Sequence, residues 1–323
     1  MNEEFEIMDG LPVRSEKIEF DRSQLLACSS CGRTNAPNRL DCIYCGVALP
    51  VGQGAAPALK LRDVEAWEKA FNIVLIGKGV PPIHPVPAPL DADIIQRAIE
   101  LGPPTPIGRV ATAEGAAVVN ERLQDAKLHS VVVSDEDLNI LRPSVRLRSL
   151  SAADGGLILT TFNTNERLEF RVGSLRLIVI GRLFEERFEQ TLKKKSGGIE
   201  EVDGRNVSKD SGVIDLYFDD EPNGFRIFEG GFDFSGLGEG RSFLAVENMQ
   251  KLIEELKNSA PSAVVSEDYV AKRNILEKFW PCSIRNDSRG VRRVKFGVTV
   301  ERAEVTTNLE QFTKYSRLIR LTI

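Results

Sequence analysis

The stretch Cys28-Ser-Ser-Cys31-Gly32 and its echo Cys42-Ile-Tyr-Cys45-Gly46 decide how the N-terminal part of the chain is read. Ten residues separate Cys31 from Cys42. In each Cys-x-x-Cys pair the backbone must turn so that both sulfurs face one point. A glycine after the second cysteine permits the left-handed conformation such a turn needs. Two turns of this kind supply four thiolates, which complete a tetrahedral sulfur shell around one zinc ion. All four ligands come from protein, so the expected zinc is structural and leaves no coordination position for chemistry. The expected ligands are Cys28, Cys31, Cys42 and Cys45.

The paired spacing resembles the zinc-ribbon family, and the resemblance covers residues 25–50. Ribbons of that family serve nucleic-acid binding, protein docking or folding alone, so it implies a stapled head without fixing its task.

Working outward, the chain has 323 residues, enough for two or three domains. Apolar residues make up 42% and charged residues 28%, an ordinary globular balance. The net charge of −5 argues against a chain that binds polyanions over its whole surface. The charge is unevenly spread, however. Residues 1–21 carry seven Asp or Glu against Arg14 and Lys17, and residues 272–320 carry twelve Lys or Arg against five Asp or Glu. Four of the five cysteines are paired at metal-ligand spacing, which suits a reducing compartment. Residues 1–21 lack a continuous apolar run, and the best apolar strand, Leu175–Leu183, is short and broken by arginine. The expectation is a cytoplasmic protein without a signal peptide or transmembrane segment.

The fold expected is multi-domain α+β. Residues 1–24 read as an acidic, disordered tail by composition, with Phe5, Ile7, Leu11 and Val13 offering an added strand as the alternative. Residues 25–50 are the zinc ribbon, and 51–64 are a linker rich in glycine, alanine and proline. Residues 65–140 read as a small split β-α-β domain. It has a buried strand at Phe71–Ile76, a proline-rich loop at 77–89, a helix at Leu90–Leu101, a second helix capped by Thr112, and a closing strand at Ser130–Val133. That stretch resembles the C-terminal domain of the ribosomal stalk protein and the substrate adaptor of the Clp protease, which implies a recognition domain.

Residues 145–260 hold a series of strand candidates: Val145–Leu150, Leu157–Thr161, Leu168–Val172, Leu175–Leu183, Val213–Phe218 and Phe225–Phe228. One amphipathic helix, with Val246, Met249, Ile253 and Leu256 on a face, ends the block. Lys193–Gly212 reads as a polar, mobile insertion. Many antiparallel strands with one closing helix resemble the pleckstrin-homology-like domain, which implies a platform for lipid headgroups, peptides or partner domains. Residues 262–323 form a basic C-terminal segment with a helix at Tyr269–Phe279, a strand at Val294–Val300, and a strand-like terminus at Leu318–Ile323. As a whole, the chain resembles bacterial zinc-ribbon proteins of uncharacterised role.

Several groups invite a functional reading. The run Gly230-Gly231 to Gly240-Arg241-Ser242 precedes a helix, but it lacks the lysine of a phosphate loop and reads as a tight turn. His84, His129 and Cys282 have no partner motif. Asp215, Asp219, Asp220 and Asp233 stand near strand ends. The sharper set is Arg285, Arg289, Arg292, Arg293 and Lys295 with Trp280, a candidate contact for an anionic partner. Nucleic acid, an anionic membrane surface, an acidic protein face and the chain's own acidic head all fit it. The function expected is a non-enzymatic adaptor or scaffold that binds a macromolecule, a protein in the first instance. The alternatives are a nucleic-acid-binding protein using ribbon and basic segment together, and an enzyme with a pocket assembled from scattered residues. Oligomeric state is not legible.

Overall fold

In the computed structural model of the protein, residues 6–8, 11–13, 25–36, 42–47, 49, 64–65, 68–77, 90–153, 155–195, 198–219, 221, 223–294 and 297–323 are described. The chain divides into two compact units, residues 1–60 and residues 61–323. The architecture is mixed α/β, with mostly β-sheet and several helices. No described helix is long and apolar enough to cross a membrane.

The first unit holds two small antiparallel pairs. β1 (Glu6–Met8) pairs with β2 (Leu11–Val13), and β3 (Leu26–Ala27) pairs with β4 (Thr34–Asn35). The expected linker falls outside the described residues except for Val64.

The second unit begins with β5 (Phe71–Leu75), whose Ile73, Val74 and Leu75 are fully buried. It is the centre of a three-stranded antiparallel sheet, between β6 (Thr105–Val110) and β7 (Ser130–Ser134). Helix α1 (Ala92–Leu101) starts where the Asp91 side chain accepts the Asp93 amide. Helix α2 (Ala113–Asp125) starts where Thr112 Oγ1 accepts the Gly115 amide, and it buries Ala116, Val119 and Leu123. A short helix α3 (Asp135–Leu138) follows β7. The second strand, β6, was not among the expected elements; its sequence holds Pro106 and Gly108, which disfavour a strand interior. β6 lies at a sheet edge, where a proline costs no ladder hydrogen bond.

Next come two three-stranded meanders. The first is β8 (Val145–Ala153), β9 (Gly156–Thr161) and β10 (Arg167–Arg171). The second is β11 (Leu175–Lys195), β12 (Gly198–Phe218) and β13 (Phe225–Phe228). A parallel contact between β13 and β8 joins them. Alternation along these strands points Leu157 and Leu159, Ile214 and Leu216, and Phe225 and Ile227 into one core. Helix α4 (Ala245–Ser259) closes that core with Met249, Leu252 and Leu256.

The stretch expected as an insertion, Lys193–Gly212, is strand in its described residues: Lys193–Lys195 ends β11 and Gly198–Gly212 begins β12. β11 and β12 each run for 21 residues, roughly 70 Å. Beyond Glu185, β11 also pairs with β16 (Gly297–Thr307), which pairs with β15 (Ser283–Val294). Strand partners on both sides satisfy the backbone of β11, so a polar sequence is no obstacle. The expected single strand at Val294–Val300 is correspondingly divided between β15 and β16. The remaining partners of β11 and β12 meet only their proximal halves: β14 (Val264–Ser266) lies beside Leu177–Val179, and β13 beside Val213–Leu216.

The strand expected at Leu318–Ile323 is also corrected. It belongs to helix α6 (Leu309–Thr322), whose Gln311–Ile319 are all buried. α6 packs with α5 (Tyr269–Phe279) against β11. The approach is closest at Gly181, where a Cβ would stand 2.5 Å from the Phe312 ring. The polar residues of α6 find partners inside the core. Gln311 Nε2 donates to the Trp280 carbonyl at 2.8 Å, and Gln311 Oε1 accepts from the Tyr269 hydroxyl at 3.0 Å. Tyr217 and Ser316 hydroxyls meet at 2.8 Å. Arg226 makes a two-pronged pair with buried Asp215 at 2.6 and 2.7 Å and donates to Thr313 Oγ1 at 2.9 Å. Those satisfied bonds let a helix with polar residues on every side sit in a core.

Candidate metal centre

β3 and β4 form a small hairpin that brings Cys28 and Cys31 round one turn. The second turn, at Cys42–Cys45, repeats the backbone bonds of the first. Gly32 donates to the Cys28 carbonyl at 2.8 Å, and Gly46 to the Cys42 carbonyl at 2.9 Å. The amides of Cys28 and Cys42 close each turn onto the Arg33 and Val47 carbonyls, both at 2.9 Å. Both glycines are left-handed, with φ of +69° and +68°, as the cysteine spacing demands.

The four Sγ atoms lie within 4.8 Å of one another and form no disulfide. Cys28 and Cys45 stand 3.6 Å apart, as do Cys31 and Cys42. A metal–sulfur bond of about 2.3 Å in a tetrahedron sets sulfur–sulfur edges of about 3.8 Å. The four cysteines therefore lie close enough to hold one metal ion, and the donor set is that of a soft or borderline cation.

Electrostatics favour a cation here. The amides of Cys31 and Ser30 hold the Cys28 thiol below its ordinary value. Burial pushes the Cys42 thiol up, but the amides of Tyr44 and Cys45 and the Asn35 side chain outweigh it and bring it to about 6. Cys31 goes the other way: the Arg33 amide draws it down, but burial and the neighbouring sulfurs raise it to about 11. Four thiols this close cannot all ionise without a positive charge among them.

Asn35, absent from the sequence-based candidates, links the two halves. It is buried, donates through Nδ2 to Cys42 Sγ at 3.4 Å and to the Arg33 carbonyl at 3.0 Å, and accepts the Ile43 amide at 3.0 Å through Oδ1. Leu49 packs with Cys28 and Cys42 to complete a small core. On the outside of the second turn, Ile43, Tyr44 and Val47 are exposed, with the Arg33 guanidinium 4.8 Å from the Tyr44 ring centroid.

The other candidate residues are scattered. Arg285 is exposed on β15, and Arg289, Arg292 and Arg293 lie further along that strand. Lys295 lies outside the described residues. Trp280 is a correction: it is 1% exposed, with Nε1 donating to Asn72 Oδ1 at 3.0 Å, so its ring packs the interior and is not offered to a partner. The tryptophan follows α5, and its indole N–H ties the end of that helix to Asn72 on β5.

The aspartates do not converge either. Asp215 pairs with Arg226, Asp219 pairs with Arg176, and Asp233 caps the turn at Phe234–Gly240, while Asp220 lies outside the described residues. The Cys282 thiol donates to Glu277 Oε2 at 3.1 Å, and burial together with that carboxylate pushes it up to about 12, the opposite of an activated nucleophile. His129 is exposed, and His84 lies outside the described residues. The glycine run is a turn into α4, held by the Ser242 amide on Asn248 Oδ1 at 2.6 Å and by Lys251 on the Gly240 carbonyl at 2.6 Å.

A cleft of about 580 Å³ is lined by Pro103, Val264, Ser266, Asp268 and Ile319. Its polar groups are already engaged. The Tyr315 hydroxyl donates to Asp268 Oδ1 at 2.9 Å and meets Ser266 Oγ at 3.0 Å, and Lys272 pairs with Asp268. Burial holds the Lys272 ammonium below its ordinary value, against the pull of Asp268.

No family model matches the chain, and neither does a curated protein or a solved structure.

Proposed function

We propose that the protein is a non-enzymatic adaptor with a zinc-stapled head, and that the head docks a protein partner through the outer surface of its second cysteine turn. The observation that carries this reading is the pairing of a closed four-sulfur shell with the exposed Ile43, Tyr44 and Val47 directly outside it. Zinc is the ion named because four thiolates in tetrahedral spacing suit a d10 cation that asks for no other geometry. With every ligand supplied by protein, the ion serves folding: it fixes a turn whose apolar residues would otherwise collapse inward. Aromatic and aliphatic side chains on a rigid turn are the kind of anchor that dominates binding energy between proteins.

The two meanders and α4, read as a pleckstrin-homology-like platform, and the small sheet with α1 and α2, read as a recognition domain, complete the adaptor. A reducing compartment, the cytoplasm, keeps the four thiols available to the ion.

The test is site-specific photocrosslinking. A photoreactive residue replaces Tyr44 in the full chain, and a second variant carries it at Glu121 on α2. The reading expects a discrete adduct from position 44, none from position 121, and loss of the adduct when Cys42→Ser is added. No adduct at 44, or one that survives Cys42→Ser, would overturn it.

A further inference from the structure

We infer that the outer face of the first meander, β8 to β10, is a docking surface for single-stranded nucleic acid. A bulge in β8 carries the inference. Leu147 stands opposite Thr161 and Leu150 opposite Leu159, and both leucines enter the core although they are three residues apart. Strict alternation would put residues three apart on opposite faces. A register shift between Leu147 and Ser149 absorbs the extra residue, so Arg148 and Ser149 both turn outward.

Arg146 alternates with Leu147 and faces out as well. Both guanidiniums gather on one ring: Arg146 Cζ lies 3.7 Å and Arg148 Cζ 5.1 Å from the Phe162 centroid. Phe228 backs Arg146 at 5.3 Å. On β10, Leu168 and Phe170 pack against the core, so Arg167, Glu169 and Arg171 face outward, and all three are exposed. Arg167 stands opposite Thr160, which stands opposite Ser149, so the face is continuous over three strands. Arg226 stands opposite Arg146 and donates to Thr313 of α6, so that helix bounds the face on one side.

Four arginines thus share the face with Glu169, while Glu166 stands in the turn beside it. Among the described residues none of the four pairs with a carboxylate; Arg146 and Arg148 donate to the Gly230 and Phe162 carbonyls at 3.4 and 3.1 Å. A guanidinium laid flat on a ring keeps its N–H edge for phosphate oxygens. Unpaired bases stack on rings and on guanidinium planes. Cations and a ring on one face of a sheet therefore supply both contacts that a single strand makes, whereas a duplex keeps its bases stacked inside. The chain as a whole carries −5, so the pull on a polyanion is local to this face. The inference stands apart from the metal centre and from the docking proposed for Tyr44.

Fluorescence anisotropy of the full chain with a labelled single strand of about twelve mixed nucleotides tests it over a salt series. The strand is supplied as DNA and as RNA, and binding of either supports the inference. Log affinity is expected to fall against log salt with a slope of about −3, about 0.7 for each arginine on a phosphate. R148Q/R167Q/R171Q should bring that slope to about −1. F162L keeps an apolar side chain but loses the ring, and should weaken binding about tenfold with the slope unchanged. R97Q, on α1, should change neither. Unaltered circular dichroism of the variants separates lost contact from lost fold, and wild-type binding stands as a test without them. Absence of wild-type binding at low salt would overturn the inference, as would a slope that the triple variant leaves unchanged. So would equal affinity of F162L and wild type, equal competition by a duplex, or binding of phosphatidylserine vesicles in place of the single strand.

Discussion

Asn35 does for the cysteine cluster what a bolt does for two plates. Its amide reaches one sulfur, Cys42, and the backbone of both turns, at Arg33 and Ile43. A hydrogen bond to a ligating sulfur orients it and tempers its charge, and outer groups of this kind are worth about 10–100-fold in metal affinity. Asn35→Ala is therefore expected to weaken metal binding about 10–100-fold in a chelator competition, with the four cysteines intact. Unchanged affinity would show that the turns hold their sulfurs without the cross-link. The four-cysteine cluster was legible in the sequence because paired cysteines at that spacing have few other uses. Asn35 was not, because a lone asparagine in a loop most often turns the chain for itself. The one signal available was its position midway between the two pairs. Trp280 shows the reverse error: an aromatic beside arginines suggested a surface, whereas the ring is buried and its N–H reaches Asn72 on β5.

At the scale of elements, α6 and β6 were hidden, whereas α1, α2 and β7 were plain. Thr112 as a cap and the stripe Ala116, Val119 and Leu123 follow from helical period alone. In α6, the last residues alternate as in a strand. The helical spacing shows only in a longer window that includes Phe312, Tyr315 and Ile319, all buried. Long-range bonds from Arg226, Tyr269 and Tyr217 allow its polar residues inside, and no local pattern announces those partners. The same holds for β11 and β12, whose distal halves are strands because β15 and β16 lie beside them.

The α5–α6 contact carries a pH dependence. Burial raises the Asp268 carboxyl, but Lys272 and the Tyr315 and Ser266 hydroxyls outweigh it, so Asp268 is held below the usual aspartate value. A carboxyl that titrates lower in the folded chain stabilises fully above its unfolded value, about 3.9. That stabilisation is lost as pH falls through the folded value. Asp268→Asn removes the ionisation, so its denaturation midpoint should fall less than that of wild type between neutral pH and about pH 3. Parallel midpoints for the two proteins would show that the pair titrates alike folded and unfolded.

At the scale of the whole molecule, two units face different folding problems. The second, residues 61–323, has a layered core of aliphatic and aromatic side chains. In the first, residues 1–60, the described core is Cys28, Cys42 and Leu49. Burial on that scale cannot offset the entropy of ordering the turns, so small units of this kind draw folding energy from a bound metal. The cysteine cluster of the first unit could be read from the cysteine spacing. The merging of residues 262–323 into the second unit could not, because it depends on α5 and α6 crossing β11.

The direct measurement is X-ray absorption at the zinc edge, on full-length protein purified without added metal and assayed for metal content. The account predicts one zinc per chain with four sulfur neighbours at about 2.3 Å. Less than about half an equivalent of zinc, with four thiols free to titrate, or a shell of nitrogen and oxygen neighbours, would contradict it.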